Sequence, residues 1–394
     1  MELVDIIKST EINQPLQLHH AAKYNSWVEI DTQAIHHNIA SYKNVVAPSF
    51  LAPVIKSNAY GHGIALVAAI CQANPLVDML CVVSVTEGLY LRSIGIKKPI
   101  LVLSILRDDL LQAIEQDLQL VVKDISLAVT LNQLAKQAKK QAEIHVKIDT
   151  GLSRLGFLAE SALESIMQIA QMSHLTIKGM FTHFAESESI DQTFTNLQIA
   201  KFQEIVGKVE NENISISLRH TSCSAAITAN AHSHFNMTRL GIGLYGLWSS
   251  DHNKNVTQQS YPSFNLKPAL TWKTTIIQIK SIPAGSYIGY ERTYQTQKTS
   301  RIATLPIGYY DGYDRRFSNT GFVMINNKPA PVVGRVAMNL TMIDVTDLPA
   351  QVDDEVILLG NYPEVSAQNL AQRSQTINYE VVTRINPLLP RMSV

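Results

Sequence analysis

Cysteine is scarce in this chain. Three residues, Cys71, Cys81 and Cys223, are spread over 394 positions. They form neither an even-numbered disulfide framework nor a metal-like spacing, which predicts a reducing compartment and no metal site. Charge imbalance is missing as well, since 33 Lys plus Arg face 33 Asp plus Glu. With no long block of one sign, neither nucleic acid nor an anionic membrane surface has an electrostatic foothold. No apolar run is long enough to cross a bilayer. The opening stretch MELVDIIKSTEINQPLQLHH carries acids early and lacks a long apolar core, so a signal peptide is not expected and the cytoplasm is. Internal repeats and low-complexity segments are absent. What is there is an ordinary globular composition, 46% hydrophobic and 17% charged. The chain is longer than one core usually serves, which predicts two domains.

Between about residues 50 and 248, short apolar runs alternate with segments of helical period. Eight runs read as strands: PVIK (53–56), MLCVVS (79–84), PILVLS (99–104), LQLVVK (118–123), EIHVKID (143–149), IKGMFTH (177–183), SLRHTS (217–222) and TRLGIGLYG (238–246). Several are apolar at consecutive positions, as strands buried on both faces are. Eight strand–helix units predict a (β/α)8 barrel of the TIM type; a doubly wound open sheet fits the same alternation. After residue 249 the texture changes. SSDHNKNVTQQSYPSFN reads as a polar linker, and β-rich runs follow with few helices, so a mostly β C-terminal domain is expected. INNKP reads as its hairpin turn. The expected layout is an N-terminal extension over 1–22, a barrel over 23–258 and a mostly β domain over 259–394.

Barrel active sites are built at strand C-terminal ends. There the sequence sets Lys56 after strand one, Lys147 and Asp149 on strand five with Arg154 following, and His183 after strand six. Ser222 and Ser224 follow strand seven, and Arg239 opens strand eight. Each has a plain alternative: a polar strand end in a solvated loop, a structural histidine, or a Lys147–Asp149 pair. The stretches SCSAA and RLGIG occupy the places where barrels often hold a phosphate group, although the GIG glycines equally suit close packing in the barrel wall. A lysine across the barrel from a phosphate site points to pyridoxal phosphate. That cofactor needs a lysine for its aldehyde, donors for its phosphate and a polar partner for its ring nitrogen.

Read in order, VIKSNAYGHG, VKIDTGLSRLG, FTHFA, TSCSAA, TRLGIGLYG, IGYERTY, LPIGYYDGYDRR, VGRVAMN and NYEVVTRI resemble the motifs of alanine racemases. That is a pyridoxal-phosphate family of the barrel-plus-β-domain type, and the resemblance runs from about residue 24 to 391. It implies that Lys56 carries the cofactor and that Tyr60, Ser224 and Tyr379 hold its phosphate with the backbone N–H groups of Gly241 and Ile242. His183 is implied to lie against the ring, Arg239 to face the ring nitrogen, and Arg154 to orient cofactor and substrate. Lys147 matches a lysine that is often carbamylated. In the second domain Tyr290 matches a catalytic base, while Tyr309 and Met338 match residues that bind the substrate carboxylate. Those residues reach the site from the partner subunit in this family, so a head-to-tail homodimer is implied. The implied reaction interconverts L- and D-alanine by two bases on opposite faces and supplies D-alanine for peptidoglycan.

The residue types suit that chemistry. Lysine is a strong base that burial or a nearby cation brings toward neutrality. Tyrosine, with an ordinary pKa of about 10, needs stabilisation as phenolate, and Arg154 is the candidate. Arginine does not readily surrender a proton, so the ring nitrogen beside Arg239 stays unprotonated and the ring is a weaker electron sink. Two positions depart from the family pattern. Asn339 stands where an aspartate is common, which leaves a wider-range racemase, acting on serine or basic amino acids, as the alternative. Cys223 stands where an asparagine is common. A decarboxylase of the same architecture is disfavoured by Arg239 and Tyr290, and a barrel-only carrier protein by the second domain.

Overall fold

The computed structural model describes residues 24–394, so the expected extension over 1–22 lies outside the described residues. Eight barrel strands form, but the first lies three residues earlier than the expected 53–56, so Lys56 falls in the turn after the strand and does not end it. The eight are Phe50–Pro53, Leu80–Ser84, Ile100–Ile105, Leu118–Val122, Ala142–Asp149, Leu175–Phe181, Leu218–His220 and Met237–Leu240. The second to the seventh make one parallel sheet in chain order, and the eighth pairs with the first from Met237↔Phe50 to Leu240↔Pro53. The ring closes through a parallel bridge between Val54 and Cys81 and through Arg239 N–H donating to Ser222 O at 3.2 Å. A closed ring excludes the open doubly wound sheet, in which two edges stay unpaired.

Burial explains the unbroken apolar runs. Every residue of Leu118–Val122 is buried, because one face lines the barrel interior and the other meets helices. The surrounding helices are stopped and started by their sequence. Ile125–Ala138 is N-capped by Asp124, whose carboxylate accepts from Leu127 N at 2.8 Å, and it buries Ala128, Leu131 and Ala135 on one stripe.

Two stretches differ from expectation. TRLGIGLYG is strand only to Leu240 and then turns as a short 3-10 segment, Ile242–Tyr245. Gly243 permits this, since a Cβ there would sit 2.2 Å from the Tyr42 hydroxyl. The expected polar linker contains a helix, Asp251–Ser260. Ser250 caps it, and Thr257 and Asn253 bond inward to Thr228 and to Ala225 O, so local capping replaces an apolar stripe.

The chain forms two compact units. One comprises Asp31–Leu270 and Gln375–Pro387; the other comprises the segment ending at Ile30, Thr271–Ser374 and Leu388–Val394. The second unit is mostly β. A six-stranded sheet runs Lys328–Pro331, Phe322–Ile325, Glu355–Leu359, Leu270–Thr275, Ser26–Ile30, Arg391–Ser393. A three-stranded antiparallel sheet joins Gln278–Ile282, Ser300–Leu305 and Thr341–Asp344. Ser26–Ile30, which the sequence reading gave to the barrel, is therefore a strand of the β unit, paired in parallel with Arg391–Ser393. In the hairpin Phe322–Pro331, Asn326 and Asn327 take φ of 49° and 61°, the left-handed pair that a two-residue turn demands.

Candidate active site

The first barrel strand ends in an unusual turn. After Lys56, four successive non-glycine residues, Ser57, Asn58, Ala59 and Tyr60, hold φ between 52° and 55°. A left-handed turn costs roughly 1–2 kcal/mol per residue, so the neighbours must hold it. Ser57 N–H donates to Glu87 Oε1 at 2.6 Å, and Asn58 Oδ1 accepts from Ile64 N at 2.9 Å. Gly61 closes the turn at φ +84°, where a Cβ would sit 2.0 Å from Val382 O. That contact seats the short helix Asn378–Thr383, which carries Tyr379, beside the turn. Strain of this kind, held by surrounding bonds, is typical of functional sites. Burial, then the charge of Arg154, holds the Lys56 amine below its ordinary pKa, with Glu87 opposing.

A cluster of donors forms near this turn. The Tyr60 and Tyr379 rings lie 6.2 Å apart, centroid to centroid. Burial raises the pKa of both phenols, so both stay protonated and can donate. Ser224 Oγ accepts from Gly241 N at 2.9 Å and Gly243 N at 3.1 Å. A Cβ added to Gly241 would stand 3.2 Å from the Tyr60 hydroxyl and 3.6 Å from Ser224 Oγ. The space a side chain would take is thus a small cradle walled by two hydroxyls, which fits a phosphate group held by neutral donors. Ile242 begins the 3-10 segment directly after it.

The other side of the site is rich in positive charge. Arg239 is buried and gives N–H bonds to His220 Nδ1 (2.6 Å), His220 O (3.0 Å), Thr182 O (2.8 Å) and Thr221 O (3.0 Å). Those bonds use both terminal nitrogens. The Nε–H has no acceptor among the described residues, which leaves a fixed donor for a ligand atom such as an unprotonated ring nitrogen. His183 Nδ1 lies 3.4 Å from Arg239 Nη2. Burial, followed by the charges of Arg239, Arg154, Lys147 and Lys56, keeps His183 neutral. Lys147 is buried and packs 5.5 Å from the centre of the Phe181 ring. Burial first, then Arg154 and Arg239, push its pKa down to about 8. The suggested Lys147–Asp149 pair does not form: Asp149 Oδ1 instead accepts from Gly151 N and Ser153 N. Arg154 disfavours the charged form of both Lys56 and Lys147, and Arg239 that of Lys147, with Glu87 opposing at Lys56 and Asp149 at Lys147, so an anion suits the site. Phosphate, a substrate carboxylate and a carbamate on Lys147 would each supply one.

The sequence reading missed His220, Phe181 and Glu87. Phe181 stacks on His220 with centroids 4.8 Å apart and carries Arg239 over its ring at 5.2 Å. The signal was present in FTH and RHTS, where an aromatic and a histidine stand at adjacent strand ends.

In the β unit, Tyr290 opens the segment Tyr290–Arg292 and is 70% exposed. Glu291 anchors that segment through Arg315 (3.2 Å) and Arg335 (2.8 Å). Tyr309 N donates to Ala337 O and Tyr310 N to Met338 O, both at 3.0 Å, so the Tyr309 and Met338 loops are tied together. Gly289 packs against Gly334 and Arg335, so residues 334–338 back both tyrosine loops. Tyr309, Tyr310, Met338 and Asn339 are exposed.

Residues 30–249 match the family description "Alanine racemase, N-terminal domain", and residues 269–393 match "Alanine racemase, C-terminal domain". The chain belongs to the alanine racemase family. Membership makes it an isomerase acting on an amino acid, alanine by the family's name. The alanine racemase of Methanococcus maripaludis is 38% identical over 374 residues, covering 93% of this chain and 98% of that one. The alanine racemase structure from Clostridium difficile 630 matches with a TM-score of 0.89 at 34% identity, covering 94% of this chain and 96% of that one. The Bartonella henselae structure, described as having covalently bound pyridoxal phosphate, matches with a TM-score of 0.81 at 26% identity over 94% of this chain and all of that one.

Proposed function

We propose that the chain is a pyridoxal-phosphate-dependent racemase that interconverts L- and D-alanine with two bases. The observation that carries the reading is the pairing, within one barrel, of Lys56 with Arg239. One is an amine held below its ordinary basicity; the other is a guanidinium with one fixed donor left to give. Pyridoxal phosphate, when bound, supplies the electron sink that makes an amino acid's α-proton acidic.

The chain's own residues divide the remaining work. Lys56 holds the cofactor and, when its amine is free, takes or returns the α-proton at Nζ on one face. Tyr60, Tyr379, Ser224 and the N–H groups of Gly241 and Ile242 bind the phosphate, Gly241 sharing with it the N–H that it gives to Ser224 Oγ. His183 packs against the ring and Arg239 Nε–H meets its nitrogen, which limits how far the ring withdraws electrons. Arg154 orients cofactor and substrate, while Lys147, with a pKa of about 8, is neutral often enough to take up carbon dioxide as a carbamate. That carbamate would offset the surplus of positive charge. Tyr290 moves the α-proton at Oη on the opposite face, and Tyr309 and Met338 receive the substrate carboxylate.

The exposure of Tyr290, Tyr309 and Met338 supports a homodimer, head to tail, in which a second copy supplies them. An exposed catalytic tyrosine gains a dry environment only when something covers it. The compartment is cytoplasmic, and the D-alanine made supplies peptidoglycan. Among the described residues no helix is long and apolar enough to cross a membrane.

The test is proton NMR of L-alanine with protein and pyridoxal phosphate in D2O, joined to a chiral assay of the same sample. Loss of the α-proton signal together with D-alanine is expected; intact L-alanine overturns the assignment. Asn339, exposed and uncharged, supports the wider-range alternative, so serine, lysine and arginine belong in the same assay.

A further inference from the structure

A chain of buried side chains crosses the barrel interior beneath Arg239. His220 Nε2 lies 2.9 Å from His145 Nδ1, and His145 Nε2 lies 2.8 Å from Gln119 Oε1. Gln119 Nε2 then donates to Glu143 Oε2 at 2.7 Å. Together with the Arg239–His220 bond of 2.6 Å, this makes four links from a guanidinium to a carboxylate. Both histidines are fully buried, and Gln119 is 6% exposed.

The two ends dictate one direction. A guanidinium has only donors and a carboxylate only acceptors. So Arg239 gives to His220 Nδ1, His220 Nε2–H gives to His145 Nδ1, His145 Nε2–H gives to Gln119 Oε1, and the amide gives to Glu143. Each histidine must be neutral and must carry its proton on Nε2. Burial, aided by the charges of Arg239 and Lys178, pushes the His145 pKa down to about 3, which agrees. Aligned bonds of this kind polarise one another in a low-dielectric interior.

The backbone makes room for the relay. A Cβ on Gly179 would sit 2.2 Å from His145 Nδ1, inside the ring's own space. The pairing of the fifth and sixth strands slips at this point, from Ile144↔Ile177 to His145↔Gly179. Lys178 is the extra residue of that bulge, and its Nζ pairs with Glu143 Oε1 at 3.1 Å. The irregularity that admits His145 also anchors the carboxylate at the far end.

We propose that Gln119 and His145 are positioning residues for Arg239, acting through His220, with Glu143 as the terminal acceptor that fixes the relay's direction. They touch no reacting atom. Their task is to present a bare Nδ1 of His220 to the guanidinium, so that its Nε–H stays aimed at the ligand. The consequence for the cofactor's ring nitrogen rests on the reading above; the proton positions do not.

The test is side-chain 15N NMR of histidine in the cofactor-free protein, with Gln119→Leu and Glu143→Gln as variants. In the parent protein both residues should show a protonated Nε2 and a bare Nδ1, unchanged from pH 5 to pH 9. In Gln119→Leu, His145 loses its acceptor, and the His220 ring signals should shift or broaden and exchange their N–H faster with solvent. In Glu143→Gln, on a half-exposed residue whose change spares the core, the same signals should move in the same sense but less. After loading with pyridoxal phosphate, Gln119→Leu should shift the visible absorption band and lower kcat for alanine about tenfold, with KM little changed. Unmoved His220 signals in both variants would overturn the proposal, because Arg239 alone would then set the tautomer. A parent protein with Nδ1–H on either histidine would overturn it as well. Neither outcome depends on racemase activity.

Discussion

The candidate residues of the barrel and those of the β unit are held in opposite ways. In the barrel, Lys56, Lys147, His183 and Arg239 are enclosed, bonded or packed; burial lowers the basicity of all four, and neighbouring cations lower that of Lys147 and His183 further. In the β unit, Tyr290, Tyr309 and Met338 stand exposed on loops braced from behind. A buried, braced group is ready before any ligand arrives. An exposed tyrosine has the position but not the environment, because water still surrounds its ring. The difference teaches that burial readies the barrel residues within one copy, whereas the proposed role of the β-unit residues requires a partner to cover them.

The sharpest break of this comparison is at Lys56. Lys56→Ala should abolish racemisation and the visible absorption of bound pyridoxal phosphate; a retained band would move the attachment elsewhere. Tyr290→Phe should come next, with kcat reduced about 10²–10⁴-fold and the thermal midpoint hardly changed, since an exposed ring adds little buried area. A large fall in the midpoint would contradict its placement.

Gly61→Ala tests the strained turn that carries Lys56. The left-handed φ and the clash with Val382 O should cost about 1–3 kcal/mol of stability, read by denaturant unfolding, and should weaken cofactor affinity in step.

Lys147 gives a smaller effect with a definite sign. Its folded pKa of about 8 lies below the ordinary 10.5. The unfolded chain therefore binds more protons between those values, and this group's contribution makes stability rise with pH across that window. Labelled bicarbonate should give a carbamate carbon signal that grows as pH rises through about 8 and vanishes in Lys147→Ala. Absence of the signal at every pH would leave the lysine as a plain cation. Asn339→Asp should be the mildest, shifting KM for basic amino acids a few-fold while leaving kcat for alanine nearly unchanged.

Much of the barrel was legible because its physics is local and repetitive. Runs such as LQLVV are buried on both faces, and their spacing announces the fold. The polar residues Lys56, His183 and Arg239 at the expected strand ends stood out against those runs, and the motif string tied them to one family. What escaped notice depends on neighbours far apart in sequence. His145 inside EIHVKID reads as a satisfied core histidine until Gly179 and Gln119 are brought beside it. The helix Asp251–Ser260 is polar on nearly every face and is specified by its cap and by bonds to Thr228 and Ala225. Ser26–Ile30 looked like barrel sequence because a strand's apolar residues do not say which sheet will take them. The exposure of Tyr290 was invisible too, since GYERTY fits a plain strand equally well.

The central claim is that the barrel of one copy works with the β unit of another, and mixing inactive variants tests it most directly. Lys56→Ala and Tyr290→Phe proteins, each inactive alone, should be combined under conditions that exchange subunits and assayed for alanine racemisation. If sites are shared, each mixed dimer holds one intact site and one doubly damaged site, and about a quarter of parental activity should return. If activity stays at the level of the separate variants although mixed dimers form, each site is built from a single copy and the account is wrong.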